Sequence, residues 1–470
     1  MASLNDMLIT ARSGVLTHQE RLAVTSHNIS NADTPGYHRQ QVAVEANPPN
    51  EPNLYDARNY ATGTGVRVAD VVRVYNRMRE TALLEQTSSY QGSDTLAGSL
   101  NDLEGLLSGS TSGSLDTLLQ NFGDAWSDVA NSPGTLAERG VLLERADALA
   151  DQLNLLSARL TRYRAGIADG GAGPAFTGLV PSIVSEINDL ATRVQALNAR
   201  IATSEAQGNS AGDLMDQRDS LLSSLSEKVG FTLAANGDVS VGGQLLVSGD
   251  GTIRHDLTLL DAGGQPIQVR LNGRAVAASG GSLGGWIAAA GRADDLQARL
   301  DKLAGTLVAE VNASHASGYD LDGNAGTAFF TGTGAANIAV AISDPRLVAA
   351  ANTVQDPGPP PAPNTGDGAN ALELAQLFGQ ALAGLDGQTF SEYHAQTLSG
   401  LGASVQTAQG LADDGLAVVN VLKDSIQSES GVSLDEEMVD MLASQRAYQA
   451  ASRLITTIDG MLDTVINKMA

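Results

Sequence analysis

A chain of 470 residues is too long for a single hydrophobic core, and its formal net charge of −25 at pH 7 disfavours nucleic acid and anionic lipid as partners. The lack of cysteine excludes disulfides, thiolate catalysis and thiolate metal sites. No apolar run reaches the roughly 18 residues that a membrane span needs, and the N-terminus lacks the pattern of a cleaved secretory signal.

The N-terminal segment predicts a helix with a seven-residue apolar repeat. Helical periodicity covers residues 3–31 and stops before Thr34-Pro35-Gly36, where proline and glycine end the pattern. Four apolar residues of this segment are spaced by seven: Leu8, Val15, Leu22 and Ile29. The spacing is typical of a helix that winds around another helix. It is also compatible with the core face of a helix in an ordinary domain.

The middle of the chain alternates between helical and irregular segments. Residues 38–75 look extended, with several prolines at 48–52 and a valine-rich strand or hairpin at 66–74. Helices are predicted at 77–107, from 115, and at 135–164, 179–228, 286–314 and 371–428. Breaks are predicted at 108–114 and 170–174. Residues 315–370 are mostly loop-like and include an exposed linker or loop tip at 357–363. Frequent glycine, valine and threonine with closely spaced turns predict a compact β-domain at 230–285.

The C-terminal segment repeats the pattern of the N-terminal one. A helix is predicted from Ser433, where Ser433-Leu434-Asp435-Glu436 matches a capping box. Its apolar residues recur every seven positions at Leu434, Met441, Tyr448, Ile455, Leu462 and Met469. A second row follows three residues behind, at Ser444, Ala451, Ile458 and Val465. Because an isolated helix cannot bury such a seam, we expect both ends to lack stable structure outside an assembly.

Together these elements predict a mainly α protein with an inserted β-domain, nested as three domains. Residues 1–40 and 430–470 would form a terminal domain in which the N- and C-terminal helices pair as a coiled coil. Residues 41–229 and 286–429 would form a long helical stalk, and 230–285 an outer β-rich domain.

Residues that could carry chemistry form no recognisable catalytic or ligand site. None of the six histidines belongs to a His-Glu-x-x-His pair or accompanies a glycine-framed serine. Residues 320–326 resemble the start of a calcium loop, but Ala325 replaces its glycine and Thr331 its final glutamate. The glycine-rich segments at 170–173 and 280–285 lack a P-loop lysine and a GxGxxG sequence. We therefore predict no enzyme activity, no cofactor and no metal site.

Two long motifs carry a resemblance to a known family. Residues 26–37 (SHNISNADTPGY) resemble the N-terminal signature of the bacterial flagellar rod, hook and hook-associated protein family. Residues 430–438 (SGVSLDEEM) and 445–451 (QRAYQAA) resemble its C-terminal signature. Residues 38–41, 213–222 and 318–323 are similar to segments of the hook-associated members. His27, Ser30 and His38 depart from the usual residues, and we expect an exposed helix to tolerate them.

The resemblance implies a structural adaptor ring between hook and filament. Terminal helices of many subunits would form an inner coiled-coil core, with the stalk outside and the β-domain facing solvent. The chain would pass unfolded from the cytoplasm through the flagellar type III export channel, after a cytosolic chaperone has held its C-terminal helix. About eleven copies would sit on the hook protein and seat the next hook-associated junction protein. The assembly interface would comprise Asn28, Asn31, Pro35, Gly36 and Tyr37 together with the first heptad row of each terminal helix: Leu8, Val15, Leu22, Ile29, Leu434, Met441, Tyr448, Ile455 and Leu462.

Two other functions are compatible with parts of the sequence. A secreted adhesin or enzyme could use the β-domain at 230–285, although no acid–base pair, nucleophile or ligand cluster supports catalysis there. A cytosolic coiled-coil scaffold would instead hold its terminal helices in a stable oligomer.

Overall fold

The computed structural model describes residues 4–48, 63–107, 113–168, 178–260, 267–356, 358 and 362–468, with side chains up to residue 464. Most of the proline stretch at 48–52, the break at 108–112 and the turn at 170–174 lie outside the described residues. Also outside the described residues are the Gly263-Gly264 turn of the predicted β-domain, most of the predicted linker at 357–363, Met469 and the side chain of Val465.

Helices dominate the described part of the chain. They are α1 (Leu4–Ser30), α2 (Arg77–Leu107), α3 (Leu115–Asn131), α4 (Leu136–Ala168), α5 (Leu179–Ala206), α6 (Gly212–Lys228), α7 (Gly281–Ser317), α8 (Ala369–Leu377), α9 (Phe390–Ser430) and α10 (Leu434–Lys468). Two short 3₁₀ helices cover Pro345–Leu347 and Ala383–Leu385. The prediction of a mainly α protein with inserted β-structure is confirmed.

The strands form small antiparallel sheets. They are β1 (Gln40–Ala46), β2 (Val66–Arg73), β3 (Thr232–Leu233), β4 (Val239–Val241), β5 (Gln244–Val247), β6 (Leu257–Leu260), β7 (Gln268–Leu271), β8 (Arg274–Val276), β9 (Phe330–Thr331), β10 (Ala339–Val340), β11 (Val354–Asp356) and β12 (Ala362–Pro363). β1 pairs with β2, with a register shift between Ala43 and Val44. β3–β4–β5 and β6–β7–β8 are three-stranded, and the last four strands form two pairs.

Two predicted helices are each interrupted. The helix expected over 179–228 ends at Ala206 and resumes at Gly212, and Gly208 between them has a positive φ of 75°. The helix expected over 371–428 is α8 and α9, separated by a turn in which Asp386 and Gly387 also have positive φ. Left-handed backbone of this kind ends a helix, although the apolar periodicity continues on both sides.

The chain divides into two compact units. Unit 1 comprises Met1–Ser88, Ile187–Leu257 and Gly415–Ala470, and unit 2 comprises Ser89–Glu186 and Thr258–Asp414. Sheet β3–β4–β5 belongs to unit 1, whereas β7 and β8 belong to unit 2. These boundaries differ from the three predicted domains. The two units are defined by contacts within one chain. The division into three domains in an assembly stays a prediction.

Unit 2 contains a large apolar core. The core is built on α3, α4 and α7, whose inward positions are mainly leucine, alanine and aromatic residues. Phe122 is fully buried among the rings of Trp126, Phe329, Phe330 and Phe378, with centroid separations of 5.3–6.2 Å. α3 begins at a serine cap, because Ser114 Oγ accepts a hydrogen bond from the backbone N–H of Thr117 at 3.3 Å.

In unit 1, amide side chains of α5 hold the loops that border β5 and β6. Asn188 bonds both the N–H and the C=O of Leu257, at 2.8 and 2.9 Å. Gln195 donates to the carbonyl of Gly251 and Asn198 to that of Ser248. Gly251 lies so close to the helix that a Cβ would come within 2.5 Å of the Ala199 nitrogen. Specific hydrogen bonds therefore fix the small sheet to this helix.

Candidate functional site

The terminal helices α1 and α10 of unit 1 pack along each other in antiparallel orientation. A Cβ on Gly14 of α1 would lie 3.7 Å from the Cβ of Ala451 in α10. At the other end, the backbone N–H of Arg39 donates to Ser430 O, and its guanidinium lies 3.1 Å from Glu436 at the start of α10. The two chain ends therefore already pair within one chain, which covers part of each predicted seam.

The first heptad row of each terminal helix flanks this contact instead of filling it. The residues of α1 that are buried are Ala11, Thr17, Val24, Thr25 and Asn28. In α10 the second row supplies the contact, since Ser444 and Ile458 are buried and Ala451 is half-buried. Of the first rows, Leu8, Val15, Leu22, Ile29, Met441, Tyr448, Ile455 and Leu462 are half-buried and Leu434 is exposed. Their predicted role in contacts with neighbouring subunits stays a prediction.

Large apolar side chains remain exposed on both terminal helices. On α1 they are Met7, Ile9 and Leu16. On α10 they are Leu434, Met438, Val439, Leu442, Leu454 and Met461. Leu16 and Val439 are 55% and 65% exposed. A helix pair that buries mainly small or polar residues while exposing leucine, methionine and valine has apolar surface left for a further partner.

The turn after α1 is held by Asn28. Its amide donates to Gln40 O at 2.9 Å, and its Oδ1 accepts from Gln40 N at 3.0 Å and from the Tyr37 hydroxyl at 2.8 Å. Burial and nearby carboxylates raise the pKa of Tyr37, so this hydroxyl keeps its proton and can donate. Between α1 and Tyr37, Pro35 and Gly36 occupy a β-turn, which is closed by a hydrogen bond of 3.2 Å from the backbone N–H of Tyr37 to Thr34 O.

The predicted interface residues of this turn are thus engaged in two different ways. Asn28 is buried and Tyr37 is half-buried, both bonded within their own chain. Asn31 donates its amide to His27 O at 3.0 Å. Pro35 and Gly36 are exposed, and Gly36 has the positive φ of 76° that the third position of a type II turn requires.

His38 lies at the centre of a buried ionic cluster. Its Nδ1 is 2.8 Å from Asp216 Oδ1 and its Nε2 is 3.1 Å from Glu80 Oε1. Arg73 bonds Asp216 as well and reaches Asp219 Oδ2 at 3.0 Å. Burial lowers the pKa of His38, but hydrogen bonds and charge from Asp216 and Glu80 outweigh it and raise that pKa to about 9. The imidazole is therefore charged at neutral pH and links the segment before β1 to α2 and α6.

The expectation that His38 lies on an exposed helix is wrong. The residue follows the turn after α1 and is buried, because two carboxylates neutralise its charge. Sequence reasoning did not predict the roles of Arg73 and Glu80, although it singled out 213–222, which contains Asp216 and Asp219.

Chemically active side chains of unit 2 are used to hold loops. His315 Nδ1 donates to Thr327 O at 2.6 Å, and its Nε2 accepts from Ala349 N at 2.8 Å. Burial lowers the pKa of His315 to about 4, so the ring is neutral. Buried Arg139 donates to the carbonyls of Pro133 and Val348.

The segment that resembled a calcium loop is an Asx turn. Asp320 Oδ1 accepts the backbone N–H groups of Asp322 and Asn324, each at 2.8 Å, and Asp322 pairs with Arg346. Within the described ranges, no group of three histidine or acidic side chains is arranged to hold a metal ion. No helix of those ranges is both long and apolar enough to cross a membrane.

Comparison with known families accounts for both ends and the middle of the chain. Residues 8–38 match the family described as flagella basal body rod protein. Residues 425–469 match the C-terminal family of the basal body rod FlgEFG proteins. Residues 100–330 match the helical domain of flagellar hook-associated protein FlgK. The chain belongs to the flagellar hook-associated protein family. It is therefore a structural protein of the bacterial flagellum.

Individual relatives agree with this family. Flagellar hook-associated protein 1 of Bacillus subtilis is 29% identical over 98% of both chains. The protein of the same name from Salmonella typhimurium is 28% identical over 70% of this chain, which spans 60% of that relative's length. The structure titled as the flagellar hook junction protein FlgK from Burkholderia pseudomallei superposes with a TM-score of 0.63. The superposition covers 75% of this chain and the whole of the Burkholderia chain, at 17% sequence identity. It shows that the two proteins share a fold.

Proposed function

We propose that this hook-associated protein is a structural adaptor at the junction between hook and filament, and that it assembles through its terminal helices. The observation that carries the proposal is the exposed apolar surface of the α1–α10 pair. The names of the relatives, a hook-associated protein and a hook junction protein, support the location.

The energetics favour a neighbouring helix as the cover for this surface. Each large apolar side chain contributes roughly 1.5–3 kcal/mol when it is fully buried. The exposed residues flank the intrachain contact, as do the first heptad rows, which are half-buried from Leu8 to Ile29 and from Met441 to Leu462. Helices from adjacent copies could bury both sets together.

The same surface suits the other partners that the resemblance implies. In the cytoplasm, before export by the flagellar type III system, a chaperone would cover the exposed apolar residues of α10. After export, a ring of about eleven copies would contact the hook protein on one side. The next hook-associated junction protein would bind on the other side.

Single substitutions at exposed positions test the proposal without unfolding the chain. We expect Leu16→Asp and Val439→Asp to change the free energy of unfolding by less than about 0.5 kcal/mol, because both side chains face solvent. Each should nevertheless remove the labelled protein from the hook–filament junction and stop filament growth and swimming. The measurement is fluorescence microscopy of flagella, in cells whose own copy is replaced by the variant.

The matched control is Leu372→Asp, because Leu372 is 49% exposed but lies on α8 of unit 2. This variant should assemble normally. Normal assembly of both terminal-helix variants would contradict the proposal. Cytosolic localisation of the unmodified protein in cells with complete flagella would favour the scaffold alternative instead.

A further inference from the structure

A cavity of about 690 Å³ lies within unit 1 between α5, α6 and the turn at 34–37. From α5 it is lined by Arg193, Ala196, Leu197 and Arg200, whose spacing places them on one face of the helix. The opposite wall includes residues 213–221 of α6, and Tyr37 lies at the turn. The cavity therefore combines two guanidinium groups with a small apolar surface.

Among the described residues, the two arginines of this cavity are not paired with its carboxylates. Arg193 and Arg200 are exposed, and in the described parts of the chain neither forms an ion pair. The acidic groups of the cavity are already engaged, since Asp213 is bonded by His27 and Gln40. Asp216 is held by His38 and Arg73. In a chain with a net charge of −25, two arginines on one face of a helix and without an ion pair in the described residues can attract an acidic surface.

A matching acidic surface occurs at the beginning of α10. Asp435 and Asp440 are exposed there, beside the exposed apolar residues Met438 and Val439. Glu436 is the member of this group that pairs with Arg39. Within the described ranges neither Asp435 nor Asp440 forms an ion pair, so both carboxylates are available to complement the two arginines of the cavity.

The cavity and the acidic surface are related by the turn at 34–37. A second cavity of about 650 Å³ shares residues 34–37 as a wall and is also lined by 430–432, which lead directly into α10. Unit 1 therefore places a basic cavity on one side of the turn and the segment leading to an acidic helix start on the other. Two different, complementary surfaces on one subunit generate a head-to-tail contact, which repeats into a ring or a helix.

We propose that the start of α10 of one copy docks into the Arg193–Arg200 cavity of the next copy. This inference rests on the proposed function, because it requires that copies assemble side by side. It adds a heterologous ionic contact to the apolar contacts of the terminal helices. The proposed occupant of the cavity is a second copy of this chain. Binding of the hook protein or of the next junction protein in the same cavity would contradict the inference.

Disulfide cross-linking tests the contact directly, because the chain has no cysteine of its own. Ala196→Cys places a thiol in the cavity and Met438→Cys one on the acidic surface. Oxidised flagella carrying both substitutions should yield a ladder of linked multimers of this chain on a non-reducing gel. Each single variant should yield no ladder. Normally assembled flagella with the double variant that give only monomer, or a link to a different protein, would overturn the inference.

Charge reversal gives a second test that does not depend on thiol geometry. Arg193→Glu with Arg200→Glu, and separately Asp435→Lys with Asp440→Lys, should each lower incorporation into flagella more than about tenfold, because like charges would face each other. All four substitutions in one chain should restore incorporation. Circular dichroism of each purified variant checks that its helices are retained.

The control pair is Arg145→Glu with Arg162→Glu, which makes the same charge change at exposed positions of α4 in unit 2. It should assemble normally. Wild-type incorporation by Arg193→Glu with Arg200→Glu, or a fourfold variant as defective as either pair, would refute the cavity contact while the terminal-helix proposal stands. Absence of the unmodified protein from flagella would instead refute the proposed function.

Discussion

In the core of unit 2, large aromatic and aliphatic side chains of α3, α4 and α7 are buried against one another. In the terminal part of unit 1, mainly small or polar side chains are buried, and many of the large apolar ones are exposed. The first region obtains its stability from its own chain. The second is held by a polar cluster around Asn28 and His38, and it leaves its apolar surface for neighbours.

Removing a buried ring from unit 2 should produce the largest loss of stability. Phe122→Ala leaves a cavity among four aromatic rings, and we expect a cost of about 3–5 kcal/mol in the free energy of unfolding. Urea denaturation followed by tryptophan fluorescence measures it, because Trp126 and Trp286 both belong to unit 2. Leu372→Ala, at an exposed site, should cost much less. A loss below about 1 kcal/mol for Phe122→Ala would mean that the aromatic cluster does not stabilise unit 2.

The charged cluster of unit 1 should make its stability depend on pH. The pKa of His38 is raised from 6.5 in the unfolded chain to about 9 in the folded one. The imidazolium therefore stabilises the folded state fully below pH 6.5, and this contribution is lost as the pH rises towards 9. Between pH 6.5 and 9 the free energy of unfolding of unit 1 should fall by about 3 kcal/mol because His38 loses its proton. Hydrogen exchange of peptides from β1 and α6, corrected for intrinsic rates, measures the local free energy of opening.

His38→Asn is the variant that isolates this effect. It removes the titrating group between Glu80 and Asp216. The variant should therefore lose about 3 kcal/mol less stability than the unmodified protein between pH 6.5 and 9. His27→Asn is the control, because the His27 side chain is 39% exposed and contacts Asp213. An unchanged pH dependence in His38→Asn would show that other groups determine it.

Features of this structure that depend on neighbouring residues can be predicted from the sequence, whereas those that depend on distant contacts cannot. The ends of α1 and α2 and the Pro35-Gly36 turn follow from residues next to each other, and the structure places them within one or two residues of the prediction. The break at Gly208 was missed because one glycine with a positive φ interrupts an apolar pattern that continues on both sides. His38 was misjudged because its partners Glu80 and Asp216 lie 42 and 178 residues away. Only the fold brings such groups together.

The predicted capping box at the start of α10 shows the same limit. Ser433 Oγ accepts the backbone N–H of Glu436 at 3.5 Å, as the local pattern predicts. The Glu436 carboxylate, however, pairs with Arg39 instead of returning to the cap. An ion pair with a residue far along the chain has displaced half of a local motif.

The smallest effects should come from the hydrogen bonds of Asn28, which also separate a folding role of the turn from an assembly role. We expect Asn28→Ala to cost about 1–3 kcal/mol in unit 1, because it leaves the buried N–H and C=O of Gln40 without their partner. Tyr37→Phe should cost about 1 kcal/mol, since it removes one hydrogen bond to Asn28 Oδ1. The same hydrogen-exchange measurement applies.

The double variant Asn28→Ala with Tyr37→Phe should cost less than the sum of the single variants, because both remove the same 2.8 Å hydrogen bond. Tyr163→Phe is the matched control, since its hydroxyl bonds Ser99 O in unit 2 and shares no partner with Asn28. Combined with Asn28→Ala, it should leave the free energy of opening of the β1 and α6 peptides as it is in Asn28→Ala alone. If Tyr37→Phe leaves stability unchanged but blocks incorporation into flagella, the hydroxyl serves a neighbour instead of its own chain. If stability and incorporation fall together in proportion, Asn28 and Tyr37 act by holding the turn, and the exposed Pro35 and Gly36 are the part of it left to contact another subunit.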